Sequence, residues 1–203
     1  MSSSAIGRKG AATRQRIVAG AALLIRDRGA AQTSLDDVLE ATSTSKGQLF
    51  HYFPQGRAGL LSAVAEHEVT QVLEAQQPYL SDLSTLESWE RWREAVLTHY
   101  LELGDKCPLG ALTTELGKTS PETRAIVSRL YGTWEASLAL GVARLRERGA
   151  VAGAIDPDHL ARCVLVAIQG GVTMLRTTRR VAYLQVSLDA ALAPLGISDT
   201  TAA

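Results

Sequence analysis

Cysteine, aromatic residues and net charge are all scarce in this 203-residue chain. Two cysteines, Cys107 and Cys163, cannot build a disulfide framework, and no second pair exists for a zinc site. Such usage fits a reduced, cytoplasmic protein. Long hydrophobic runs are missing too. The longest uncharged stretch is Cys163 to Leu175, 13 residues between Arg162 and Arg176. A spanning helix needs roughly 18 or more, so no membrane partner is expected. The opening MSSSAIGRKG has no apolar h-region, so no signal peptide is expected. No sustained period-2 alternation occurs, which argues against a sandwich or barrel.

Catalytic signatures are absent as well. The chain has no G-x-S-x-G, H-E-x-x-H, C-x-x-C, P-loop or G-x-G-x-x-G. Its four histidines, His51, His67, His99 and His159, have no ligand spacing. No enzyme, cofactor or metal is therefore expected. An all-α enzyme and a helical adaptor without DNA binding are the competing readings.

What is present is a core-forming composition, 46% apolar and 21% charged, with an uneven distribution of charge. The 21 basic and 21 acidic residues cancel overall. Residues 1–57 nevertheless hold eight basic and four acidic residues, a net of +4, and the remainder is −4. That asymmetry points to an anion-binding end and a body with another task.

Apolar residues recur at helical spacing almost throughout, so an all-α fold is predicted. The expected helices are Thr13 to Arg28, a short one capped by Thr33 or Ser34, Lys46 to Phe53, Arg57 to about Ala75, and Leu86 to Leu103. A short Leu109 to Leu116 follows, then Glu122 to Arg148, Asp158 to Arg176, and Arg180 to Ala193. Gly29 stops the first, and Pro121 and Pro157 suit first-turn positions. The hydroxyl run Thr42-Ser43-Thr44-Ser45 suits a turn and a new N-cap.

Three short helices with such a turn between the second and third suggest a helix-turn-helix. Leu35, Val38, Leu39, Leu49 and Phe53 would lock the two short helices against the first, since neither is stable alone. The outer face of the third carries Ser45, Lys46, Gln48, His51 and Tyr52, none of them acidic. These groups can donate to phosphates and base edges. A solvated helical corner would show the same pattern.

Ser45-Lys46-Gly47-Gln48-Leu49-Phe50-His51-Tyr52-Phe53 resembles the third-helix signature of the TetR family of transcriptional repressors. Thr13 to Ile17, Thr33 to Val38, and Arg57 with Leu60-Leu61 resemble that family's flanking segments, over roughly residues 13–65. The family usually has Gly and an apolar residue where Ser43 and Thr44 stand, and Tyr where Phe50 stands. Phe53-Pro54-Gln55-Gly56-Arg57 is one residue longer than usual. With Cys107-Pro108-Leu109-Gly110-Ala111-Leu112 and Glu115-Leu116, it is similar to the LmrA/YxaF-like branch.

The resemblance implies a DNA-binding set of Thr33, Ser34, Thr44, Ser45, Lys46, Gly47, Gln48, His51, Tyr52 and Arg57. Gln48 is the expected base reader, since an amide can bond adenine bidentately. It also implies three segments: a flexible tail over 1–12, a DNA-binding domain over 13–57, and a ligand-binding and dimerisation domain over 58–203. Arg8 and Lys9 fall in the tail, either disordered or reaching a groove. The expected partners are a palindromic double-stranded operator, a small apolar or aromatic effector and a second copy of the chain.

Beyond residue 60 the aromatic pattern is the main clue. Trp89, Trp92, Val96 and Tyr100 share one helical face, and Val127, Leu130, Trp134 and Leu138 another. They read either as core or as the lining of a cavity implied by the family. The expected ligand set is Trp92, Val96, Tyr100, Trp134 and Leu138, with Gln169 and Thr173 as polar groups; His99 is a further candidate. Cys107 reads as a buried thiol or a redox-sensitive one. Leu160, Val164, Ala167, Ile168, Gly171 and Leu175 form one late stripe, and Val181, Leu184, Leu188, Ala191 and Leu195 another. They are expected to form a dimer seam, or else a seam within one chain.

Overall fold

The structure, a computed structural model, describes residues 3–104, 110, 116 and 120–197, with side chains from Lys9 onward. The described residues form eight α-helices and no strand. These are α1 (Ser3–Arg28), α2 (Leu35–Ala41), α3 (Lys46–Tyr52), α4 (Arg57–Glu74), α5 (Leu86–Leu103), α6 (Pro121–Glu147), α7 (Pro157–Thr178) and α8 (Ala182–Leu192). Short 3-10 turns lie at Tyr79–Ser81 and Ala193–Leu195. The short helix expected over 109–116, and Cys107, lie outside the described residues.

Side-chain caps fix half of the starts. Ser34 and Asp37 form a capping box for α2, Ser45 and Gln48 for α3, and Thr85 and Ser88 for α5. Asp156 caps α7, whose first turn contains Pro157. The α1 helix begins at Ser3, not at Thr13, so the expected flexible tail is largely helical.

The chain divides into two compact units: Met1–Gln71 with Ala111–Val127, and Val72–Gly110 with Ser128–Ala203. That division falls inside α4, later than the 57/58 boundary expected from the sequence. The side chains explain it. Gln15 of α1 pairs with His67 of α4, and Arg26 of α1 faces Glu68 of α4, so α4 is tied to α1 well past residue 57.

In the first unit, Ile17, Ala21, Val38, Leu49, Phe53 and Val64 are buried. Phe50, next to Leu49 in sequence, is 41% exposed. In the second unit, α5 and α6 run antiparallel. Asp82, just before α5, meets Arg144 near the end of α6 at 3.8 Å, and Gly141 packs on Leu83 and Trp89. α6 and α7 are antiparallel too: Tyr131 accepts a hydrogen bond from Gln169, and Glu135 meets Arg162 at 3.3 Å.

The α7 helix is long and apolar enough to cross a membrane by length and composition. Here its apolar face is covered by α8. A Cβ on Gly171 would lie 2.5 Å from the Leu184 Cα, so the two backbones touch at this glycine.

Candidate DNA interface and effector region

The α3 face is built from its cap outward. Ser45 Oγ accepts from the Gln48 backbone N–H at 3.2 Å, and Gln48 Oε1 accepts from the Ser45 N–H at 3.2 Å. Leu49 is fully buried and pins the helix to the unit. Ser45, Lys46, Gly47, Gln48 and His51 are exposed, and Tyr52 is half-buried. The structure therefore presents these six residues on one short helix, as expected, with no acidic group among them. A Cβ on Gly47 would meet nothing within 4 Å, so the fold itself does not require glycine there.

Three expected contact residues take other roles. Thr33 is buried and its hydroxyl donates to Gly29 O at 2.9 Å. Thr44 is buried, and its Oγ1 bonds the Thr42 hydroxyl and carbonyl. Both side chains hold turns and point their hydroxyls at their own backbone. Arg57 donates to Ala30 O, tying the start of α4 to the turn after α1. Ser34 is exposed, but its hydroxyl and N–H are both engaged with Asp37.

The α2–α3 turn is set without glycine. Ser43 takes φ +47, a left-handed conformation that favours glycine. Arg16 donates to Thr42 O, and Gly20 lies so near Thr42 Cγ2 that a Cβ would be 2.3 Å away. The longer connection after α3 needs its glycine: Gly56 has φ +59, and a Cβ there would press on the Phe50 ring at 3.3 Å. Two ring contacts border the face. Tyr52 OH lies against Gly10 of α1, and the Arg14 guanidinium sits 5.4 Å from the Phe53 ring centroid.

Sequence reasoning missed Glu68. It is fully buried, and among the described residues neither carboxylate oxygen has a hydrogen-bond partner. Arg26 Nε lies 3.7 Å away. Burial outweighs that positive neighbour and pushes the Glu68 carboxyl up to about 7. The signal was available: Glu68 falls on the apolar stripe of Leu61, Val64, Ala65 and Val72.

The expected ligand set separates into two groups. Trp92, Val96, Tyr100, Trp134 and Leu138 are all buried in the second unit. Trp89 Nε1 donates to Leu83 O and Trp92 Nε1 to Gln76 Oε1, each at 3.0 Å. Trp134 Nε1 has no partner among the described residues. Gln169 and Thr173 lie elsewhere. They line an open groove of about 760 Å³ on α7 with Tyr131, Arg162, Val166 and Met174. Burial pushes the Tyr131 phenol up to about 12. His99 lines a separate 410 Å³ cleft with Tyr79, Arg91, Glu94 and Glu102, and burial holds its imidazole below the ordinary value despite Glu102.

The two late stripes pack against each other within the chain. Leu160, Val164, Ile168, Gly171 and Leu175 are buried, as are Leu184, Leu188 and Leu195. Ser187 Oγ donates to Ala167 O at 3.0 Å across this seam. They are therefore an intramolecular seam and not a free dimer surface. The outer faces of the same helices are apolar instead, with Val166 71%, Val186 63% and Met174 41% exposed. Among the described residues no three His, Cys, Asp or Glu side chains come together to hold a metal ion.

Comparison with known proteins agrees with this geometry. Residues 17–64 match the model of bacterial regulatory proteins of the tetR family, and residues 84–191 match the tetracyclin repressor-like C-terminal domain. The chain is 29% identical over 176 residues to an HTH-type transcriptional regulator of Mycobacterium tuberculosis H37Rv, covering 82% of this chain and 85% of that one. It is 23% identical over 177 residues to the HTH-type transcriptional regulator YxaF of Bacillus subtilis, covering 82% and 86%. A TetR transcriptional regulator from Chloroflexus aurantiacus superposes with a TM-score of 0.81 at 23% identity, covering 94% of this chain and 98% of that one.

Proposed function

Because this chain belongs to the TetR family of DNA-binding transcriptional regulators, we propose that it is a cytoplasmic homodimeric repressor released from a palindromic operator by a small apolar effector. The observation that carries this reading is the α3 face: Lys46, Gln48, His51 and Tyr52 beside a glycine that the fold leaves uncrowded. Lys46 pairs with phosphate, Gly47 lets the backbone approach, and Gln48 reads a base edge. A palindrome requires two such helices about 34–36 Å apart, or a multiple, and so a dimer.

The exposed Val166, Met174 and Val186 support placing that dimer contact on the outer face of α7 and α8. The buried Trp92, Tyr100 and Trp134 support an apolar effector held by the second unit. An effector releases DNA only by preferring a shape in which the recognition helices lose their spacing. The longer Phe53–Arg57 connection and the similarity to YxaF support the LmrA/YxaF-like branch.

The test is a gel shift on the DNA flanking the chain's own gene, repeated across salt. About four phosphate contacts per half-site give a log–log slope near ~−7. A titration with no loss of affinity between low and high salt would sink the reading.

A further inference from the structure

Three tryptophans are fully buried in the second unit, and they differ in one respect. The indole N–H groups of Trp89 and Trp92 are both satisfied, the second by Gln76, which is itself held by the Val72 carbonyl. Trp134 Nε1 is buried with no partner among the described residues. Buried donors are nearly always paired, by protein, water or ligand. An orphan N–H costs on the scale of a lost hydrogen bond, a cost that an aromatic without a donor would not carry.

The surroundings of this donor follow from helix register. Gly141 packs on Trp89, and α5 and α6 are antiparallel. Trp134 lies two turns before Gly141, and Val96 lies two turns after Trp89, so the two are level. On the other side, the pairs Tyr131–Gln169 and Glu135–Arg162 put Trp134 level with Leu165 of α7, with Ile168 about one turn away. Val96, Leu165 and Ile168 are buried aliphatic residues. An apolar site with one convergent donor suits an apolar molecule carrying a neutral acceptor. A carboxylate there would bring a buried charge among buried aliphatic side chains.

We infer that Trp134 Nε1 is the polar anchor of the effector site, and that the effector is an uncharged, largely apolar molecule with a carbonyl or ether oxygen that accepts this hydrogen bond. This rests on the effector reading above and names the chemistry of that same site.

The test uses the full chain and two probes of matched shape, 2-acetylnaphthalene and 2-ethylnaphthalene, of which only the ketone has an acceptor. Wild type should bind the ketone about tenfold more tightly, the value of one neutral hydrogen bond. Trp134→Phe should keep its fold and reduce that ratio to about one. In a spectrum of the three indole N–H groups, the ketone should move the Trp134 resonance alone. Four results overturn the inference: equal affinities in wild type, a ratio that survives in Trp134→Phe, no binding of either probe, or movement of a different indole. A parallel gel shift separates this from the wider reading. DNA binding without ketone preference removes only the anchor, whereas ketone preference without DNA binding removes the repressor.

Discussion

The two units place their polar and apolar groups in opposite ways. Within the first, the α1–α4 seam encloses a carboxylate and a guanidinium, and the α3 surface is polar and cationic. Within the second, the α7–α8 seam is largely apolar and closes onto a glycine, and its outer surface is apolar too. A cationic polar surface suits a polyanion, and an apolar one suits another apolar surface. The seams differ in what they tolerate. An apolar seam is sensitive to volume, a charged seam to protons.

The largest effect should come from crowding the apolar seam. Gly171→Trp places a side chain where even a Cβ meets the Leu184 backbone. We expect a loss of about 3 kcal/mol or more, lowering the thermal midpoint by roughly 6–12 °C in a circular dichroism melt. An unchanged melt would show that the seam is loose. The seam, and not a partner chain, is what this substitution attacks.

Next comes the proton sensitivity of the charged seam. Glu68 titrates at about 7 in the folded chain, above its ordinary value of 4.5. A raised carboxyl value means the folded state holds the proton more tightly. That contribution is complete at acidic pH and is lost as pH rises from about 4.5 through 7. The gap corresponds to about 3 kcal/mol. Glu68→Gln should remove this decline, giving a variant more stable than wild type at pH 8 and similar to it near pH 5. Urea melts across that range check it; parallel pH profiles for the two proteins would place the charge outside the seam.

The outer faces should respond to charge in opposite senses. Val166→Glu puts a carboxylate on the apolar face and should weaken dimerisation more than tenfold by sedimentation, with the monomer still folded. Lys46→Ala should weaken binding to all DNA sequences alike and lower the salt slope by about 1. Gln48→Ala should instead relax preference at one base pair per half-site, at roughly 1–3 kcal/mol. A dimer indifferent to Val166→Glu moves the contact off α7, and equal behaviour of the two α3 variants dissolves the division between positioning and reading.

Smallest is the cap. Ser45→Ala removes the hydroxyl that accepts from Gln48 N and should cost about 1 kcal/mol in a denaturant melt.

Much of this was legible in the sequence because helix ends are local. Ser34, Ser45, Pro121 and Pro157 mark starts by their own chemistry, and the boundaries of α3 to α8 lie within two residues or so of expectation. The α3 face was legible for the same reason. Which way α7 turns was not. Val164, Ile168 and Leu175 on one side and Val166 and Met174 on the other are both apolar, so periodicity gives two seams and cannot say which is covered within the chain. The burial of Thr33 and Thr44 was not legible, because a hydroxyl in a turn can face outward or fold back onto its own backbone, and here both fold back. Trp134 could be placed on a stripe, but the satisfaction of an indole depends on neighbours remote in sequence.

The α3 cap has a consequence for how discrimination arises. Without DNA, Gln48 Oε1 is already committed to the Ser45 N–H. On the proposed reading, bidentate bonding to adenine uses that same oxygen, so the base edge and the cap compete for it. A mismatched pair that offers only one partner returns no more than was given up, and the amide stays home. If Gln48 reads the base as proposed, the Ser45 amide should lose protection from solvent exchange on the cognate operator while keeping it on non-specific DNA.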